Sequence, residues 1–253
     1  MISFPLAVFT GIILLSSSTA LSGGEEYSFC KREENNQAKD KEDSGYGFVL
    51  RTAVKKASSG YFFEAKKMFK ELLRENPDSL NVRQSLQIIE DFEKKKISKE
   101  FAQKVFKGIY FILNQDYEAA IEAYKEALDI DPEKSELYYN LGSAYQFLGR
   151  YRESIPYFEK VLDSNSGDSD CLFHIGLAYY SEKEYEKAIP YLEDLINRVP
   201  HNPEIYTLLG LSYYSLKRHE EAQTAIKKAL AIYKKTGQEQ EYKETKELLD
   251  NLP

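Results

Sequence analysis

Leu141-Gly142-Ser143-Ala144-Tyr145 and Leu209-Gly210-Leu211-Ser212-Tyr213 carry the same arrangement, a glycine followed three residues later by a tyrosine, and the rest of the chain falls into step with them. Gly108, Gly142, Gly176 and Gly210 recur at an interval of 34 residues. Phe111, Tyr145, Tyr179 and Tyr213 keep the same interval, as do Ala120, Ser154, Ala188 and Ala222. Further registers follow at Tyr124, Phe158, Leu192 and Ile226, then at Ala127, Val161, Leu195 and Ala229. Five registers in phase over four copies make Phe101 to Lys234 a repeat array, in which each copy is one supersecondary unit.

Each register has a mechanical reason. The glycine and the positions four before, one before and three after it, as in Tyr138, Leu141, Gly142 and Tyr145, share one side of a 3.6-residue helix. That side packs on a second helix, with the glycine where the two cross too closely for a longer side chain and the aromatic burying most area. Pro132 and Pro200 punctuate the end of the second helix, while Ser166 and Lys234 stand at the equivalent places of the other copies. Leu-Gly-x-x-Tyr, then Ala-x-x-x-Phe-x-x-Ala, then Pro resembles the tetratricopeptide repeat. The resemblance implies an all-α, right-handed α-solenoid of helix-turn-helix repeats.

Outside the array the spans are expected as follows. Residues 1–23 carry no charged side chain, with an apolar run from Phe4 to Leu15 and small residues after it, as in a signal peptide or a membrane anchor. Residues 24–45 form a charged tether with almost nothing apolar to bury. Residues 46–79 are a degenerate first repeat with Ala53 at the glycine register and Lys56 at the aromatic one, a polar choice that suits a capping repeat. An extra helix over 80–100 breaks the phase, and the superhelix is expected to bend or pause there. Repeats follow over 101–134, 135–168, 169–202 and 203–236. Gly237 stops the last of them, and 237–253 holds a C-terminal capping helix with Tyr242, Thr245, Leu248, Leu249 and Leu252 on one side.

Composition narrows the function. The 253 residues are 42% hydrophobic and 30% charged with a net charge of −7, which gives no basic patch for nucleic acid. Cys30 and Cys171 make no disulfide framework, and with His174, His201 and His219 scattered there is no paired-histidine metal signature. No glycine-rich loop precedes a lysine. The segment Asp163 to Asp170 lacks the distal glutamate of a calcium loop, and Asp168 or Ser169 is needed there as a helix cap. Cys171 reads as a buried, inert thiol, and His174 as a wall residue. The chain is therefore expected to be no enzyme and to need no cofactor or metal.

What remains is the other side of each first helix, which in the family lines the concave groove. The positions six and three before the glycine, and one and four after it, give Ala102, Val105, Ile109 and Ile112, which alternatively pack on the extra helix. The later copies give Glu136 and Tyr139; Asp170, Phe173, Leu177 and Tyr180; and Glu204, Leu211 and Tyr214. These nine residues are the candidate partner-binding groove, apolar and aromatic with an acidic edge. It suits a protein or peptide segment with apolar anchors and basic flanks. The lysines and arginine that grip a terminal carboxylate in chaperone-binding relatives have no counterpart at these registers. The expected function is a non-catalytic interaction scaffold, exported to the periplasm or anchored in the membrane through residues 1–23 and facing outside the cytoplasm, that assists assembly of envelope complexes. The alternative is a structural protein that self-assembles through the groove.

Overall fold

The computed structural model describes residues 45–252, and these form twelve helices and no strand. The expected signal or anchor and the tether lie outside the described residues, except Gly45, which opens the first helix. Among the described residues no helix is long and apolar enough to cross a membrane. Two compact units are present, one ending at Arg150 and the other beginning at Tyr151.

The N-terminal unit holds α1 (Gly45–Ser58), α2 (Phe62–Glu75), α3 (Leu80–Glu93), α4 (Lys99–Leu113), α5 (Tyr117–Ile130) and α6 (Ser135–Phe147). Helix α1 packs on α2, α4 on α5, and α5 on α6. The Ser98 hydroxyl accepts from the Phe101 N–H at 3.0 Å, and the Asp116 carboxylate from the Ala119 N–H at 3.2 Å, so polar caps start α4 and α5 where the repeat requires. A β-carbon on Gly108 would stand 2.3 Å from the ring of Tyr124, which is the physical content of the glycine register. Ala53 fills that register in α1 and is buried.

The phase slip does not interrupt the packing of first helices. Helix α4 packs directly on α1, and the expected bend or pause is replaced by α3 set to one side. Phe92 holds α3 against Phe62 of α2, ring centroids 4.7 Å apart, and Lys66 pairs with Glu93 at 2.5 Å. A second difference lies at the chain's first repeat. Its outer face was expected to be polar, yet Phe63 is 83% exposed and Phe48 is exposed as well.

The C-terminal unit holds α7 (Tyr151–Ser164), α8 (Ser169–Ser181), α9 (Tyr185–Arg198), α10 (Pro203–Ser215), α11 (His219–Thr236) and α12 (Glu239–Asp250). Each packs on the next, and α8 also touches α10. Added β-carbons on Gly176 and Gly210 would lie 2.8 Å from Leu192 and 2.6 Å from Ile226. Gly237, at φ 74°, ends α11 in the left-handed region. Helix α12 then lays Leu248 against Leu211, Ile226 and Leu230, as a capping helix should.

Candidate functional site

The face read as a groove is built in the C-terminal unit by α8 and α10. Asp168 caps α8, its carboxylate accepting from the Cys171 N–H at 2.8 Å, so the residue weighed for calcium is occupied as a cap. Asn202 caps α10 through the Glu204 N–H at 3.0 Å, with Pro203 at the first helical position. These caps set the helical phase that orients Phe173, Tyr180 and Tyr214. All three are half-buried and pack on the core that contains Leu177, Leu208 and Tyr213. The Tyr180 ring meets Tyr185 edge-on at 5.3 Å, and Tyr214 meets His219 at 5.9 Å. Burial, then the neighbouring Tyr185, pushes the Tyr180 hydroxyl above its ordinary pKa. Phe173 leans edge-on against His174, which itself stacks on Phe158 at 4.8 Å.

Four of the nine expected groove residues are not on a surface. Leu177, Leu211, Glu204 and Tyr139 are buried. The reason is that a helical wheel drawn for one repeat counts only the second helix of that repeat. Here α8 and α10 also touch each other, and Leu211 faces α11 and α12. Tyr139 belongs to α6, whose stretch from Tyr139 to Tyr145 is buried on every side. Glu204 is 4% exposed; burial, with a smaller push from Glu241, raises its pKa to about 7. Asp170 and Glu136 remain half-buried, Asp170 at the start of α8 and Glu136 at the start of α6 in the other unit. The structure thus brings Asp170, Phe173, Tyr180 and Tyr214 into one unit and leaves Glu136 and Tyr139 outside it.

The N-terminal unit contains a feature that repeat registers do not reveal. Helices α3, α4 and α6 line a half-open cavity of about 290 Å³. Val105 and Ile109 line it and are buried, whereas Ile112 is only partly buried. Its walls include Gln84 from α3 and Asn140 from α6. No register pointed to these two, because α3 occurs once and Asn140 lies between the registers used. The only available signal was an asparagine in mid-helix, where its side chain competes with the backbone. Among the described residues no group of three or more His, Cys, Asp or Glu is placed to hold a metal ion.

Comparison with known proteins agrees with this architecture. A family model described as TPR repeat matches residues 109–155, and one described as anaphase-promoting complex, cyclosome, subunit 3 matches residues 147–229. No curated protein matches the chain. Among solved structures, a crystal structure of MamA protein is 24% identical and covers 76% of this chain and 94% of its own, with a TM-score of 0.52. A second MamA crystal structure is 25% identical over 73% and 95% of the two chains, at TM-score 0.52. MamA 41-end from Desulfovibrio magneticus RS-1 is 18% identical over 76% and 97%, at 0.51.

Proposed function

We propose that this chain of tetratricopeptide repeats is a non-catalytic scaffold for protein partners, and that its C-terminal unit receives a partner segment on Phe173, Tyr180 and Tyr214. The observation that carries this reading is that three aromatics on neighbouring first helices are only partly buried after the core has been filled. Aromatic side chains in that position supply large contact area at low entropic cost. Asp170 adds negative charge at the start of α8, which suits apolar anchors flanked by Lys or Arg and speeds encounter more than it tightens binding.

A photo-crosslinking amino acid placed at Phe173 tests the reading in the native compartment. It is expected to trap a discrete partner, and Tyr180→Ala is expected to weaken capture by roughly tenfold while unfolding moves little. If Phe173→Ala and Tyr180→Ala unfold the protein as Leu192→Ala does, these aromatics are core and the reading fails. Placement outside the cytoplasm, in the assembly of envelope complexes, rests on the uncharged stretch 1–24. An export reporter fused after Pro253 should be active; activity confined to a cytoplasmic reporter rejects that placement.

Self-assembly is the second reading, favoured by the exposed Phe48 and Phe63 on the outer face of α1 and α2. Sedimentation of the chain from Gly24 separates the two, since a scaffold for other proteins stays monomeric at micromolar concentration.

A further inference from the structure

The α1–α2 turn and the α3–α4 turn come together at one end of the N-terminal unit. A β-carbon on Gly60 in the first turn would stand 2.9 Å from Cε of Lys99, which opens α4 after the second turn. The contact of Phe62 with Phe92 and the pair Lys66–Glu93 hold the two turns side by side. Two aromatics project from this end, Tyr61 at 59% exposure and Phe63 at 83%. The repeat does not ask for either of them. Counted from the turn residue at positive φ, the position of Phe63 holds Glu118, Arg152, Glu186 and Glu220 in the later copies, and that of Tyr61 is charged in each as well. Around the aromatics stand cations. Lys56 lies over the Tyr61 ring at 5.9 Å, and Lys95 and Lys99 are exposed on the second turn and just after it. Lys67, Lys70 and Arg74 follow Phe63 at four, seven and eleven residues, so they extend one exposed stripe of α2 over roughly 16 Å. Among the described residues Lys67, Lys70, Arg74, Lys95 and Lys99 pair with no carboxylate, and the acids set against them are Glu64 and Glu100.

We propose that this end of the N-terminal unit docks on an anionic lipid bilayer, with Phe63 and Tyr61 entering the headgroup layer and the lysines around them holding acidic headgroups. Aromatic rings settle at the boundary of a bilayer, where an apolar body and a wet rim are both accommodated. Lysines and arginines near an acidic leaflet are drawn to it within a Debye length, and an aromatic that enters the layer adds the apolar component. Phe63 has almost no protein wall about it, so nothing there grips a peptide, whereas a fluid layer closes around a projecting ring. The net charge of −7 belongs to the whole chain, so a local basic end orients the molecule as it approaches a negative surface. Residues 24–44 span at most about 70 Å, so a bilayer entered by residues 1–23 would lie within reach of this end. The site shares no residue with the aromatic face proposed for the C-terminal unit.

The chain has no tryptophan, so Phe63→Trp in the full chain places a single fluorescent reporter at the site. The probe is a vesicle of phosphatidylcholine with about 30% phosphatidylglycerol, and the indole emission is expected to move to the blue by about 10 nm as the ring leaves water. Phosphatidylcholine brominated on its acyl chains should quench this emission, while Ile130→Trp in α5, the control, should be neither shifted nor quenched. Adding Lys67→Glu and Lys70→Glu should raise the lipid concentration at half-shift by about tenfold or more, and about 0.5 M salt should act in the same direction. Residues 1–23 are common to every variant, so differences between variants report this end of the unit alone. These substitutions lie at exposed positions, and thermal unfolding should be unchanged by them. No shift, equal quenching in vesicles of phosphatidylcholine alone, or insensitivity to the paired glutamates would overturn the proposal. A shift that grows with protein concentration in the absence of lipid would assign the face to a second copy of the chain. An equal shift on adding single-stranded polythymidine, without lipid, would make it a general polyanion site; either result would overturn the proposal as well.

Discussion

The two units answer the same packing problem with different side chains. In the N-terminal unit Gly108 receives the ring of Tyr124, whereas in the C-terminal unit Gly176 and Gly210 receive the branched aliphatics Leu192 and Ile226. The repeat therefore constrains how closely two helix backbones approach, and leaves the chemistry of the filler open. The units also differ in what they tolerate. The C-terminal unit is helix on helix in chain order and is closed by α12, while the N-terminal unit accommodates α3 without separating α1 from α4. An insertion of this kind is admissible because each repeat needs only its immediate neighbours to bury its apolar side. The regular unit accordingly presents a partly buried aromatic face, and the interrupted unit holds a half-open pocket.

The largest effect that can break this comparison comes from emptying the glycine registers. Tyr124 is 0% exposed, so Tyr124→Ala should destabilise by about 3–5 kcal/mol, and Leu192→Ala by about 2–5 kcal/mol. Nearest-neighbour stability predicts where each loss appears. Hydrogen exchange should show α4 and α5 loosened by the first change and α8 to α10 by the second. Uniform loosening from Gly45 to Leu252 by either change would mean that the units are not the separate bodies their packing describes.

A smaller effect separates the units by the sign of their response to pH. Glu204 in α10 is buried against α11 and α12, where Tyr233 and Glu241 bear on it and no cation is paired with it. Its folded pKa of about 7 lies above the ordinary carboxylate value. The folded state thus holds its proton more tightly than the unfolded chain does, and the associated stability is complete below about pH 4.5 and lost as pH rises through 7. The swing amounts to roughly 2–3 kcal/mol. In the N-terminal unit Glu126 moves the opposite way, held below the usual range by its hydrogen bond to Lys104. Local exchange rates at pH 5 and pH 8 should therefore show α10 and α12 weakened at the higher pH while α4 and α5 are not. Glu204→Gln should flatten the profile; a Glu204→Gln chain that still weakens by the same amount would place the titrating group elsewhere.

The difference between the units also explains what was legible in the sequence. Gly108, Gly176 and Gly210 and their fillers sixteen residues on could be read because the interval repeats, and each is a two-body contact within one helix pair. Leu177, Leu211 and Glu204 were misplaced because their burial depends on a third helix from outside the repeat. Glu204 carried a further false signal, since a glutamate in a first helical turn ordinarily faces water beside the helix dipole. The cavity was illegible for a different reason. Gln84 and Asn140 come from helices at different sequence phases, and only α3 folding back beside α4 and α6 makes them neighbours.

The smallest prediction concerns the turn that joins the two helices of each repeat, seven residues after the glycine register. Gly60, Gln115 and Gly149 occupy it in the N-terminal unit and Lys183 and Lys217 in the C-terminal unit, all at positive φ between 58° and 84°. The geometry is demanded by the helix end: the N–H of Glu184 donates to the Tyr179 carbonyl at 2.8 Å, and that of Arg218 to the Tyr213 carbonyl at 2.9 Å, closing each first helix over its aromatic. A left-handed conformation costs a residue with a β-carbon about 1–2 kcal/mol, which glycine avoids. Against this, glycine gives the unfolded chain more freedom, worth about 0.4–1 kcal/mol. Neither Lys183 nor Lys217 makes an ion pair that would be lost. Lys217→Gly and Lys183→Gly should therefore each stabilise the C-terminal unit by about 0.5–1 kcal/mol, while Gly149→Ala weakens the N-terminal unit by a similar amount. Chemical denaturation followed by amide exchange in α8 to α11 measures the gain. A loss of stability in both lysine variants would show that these side chains hold the turn through contacts of their own, and that the units differ there in more than backbone strain.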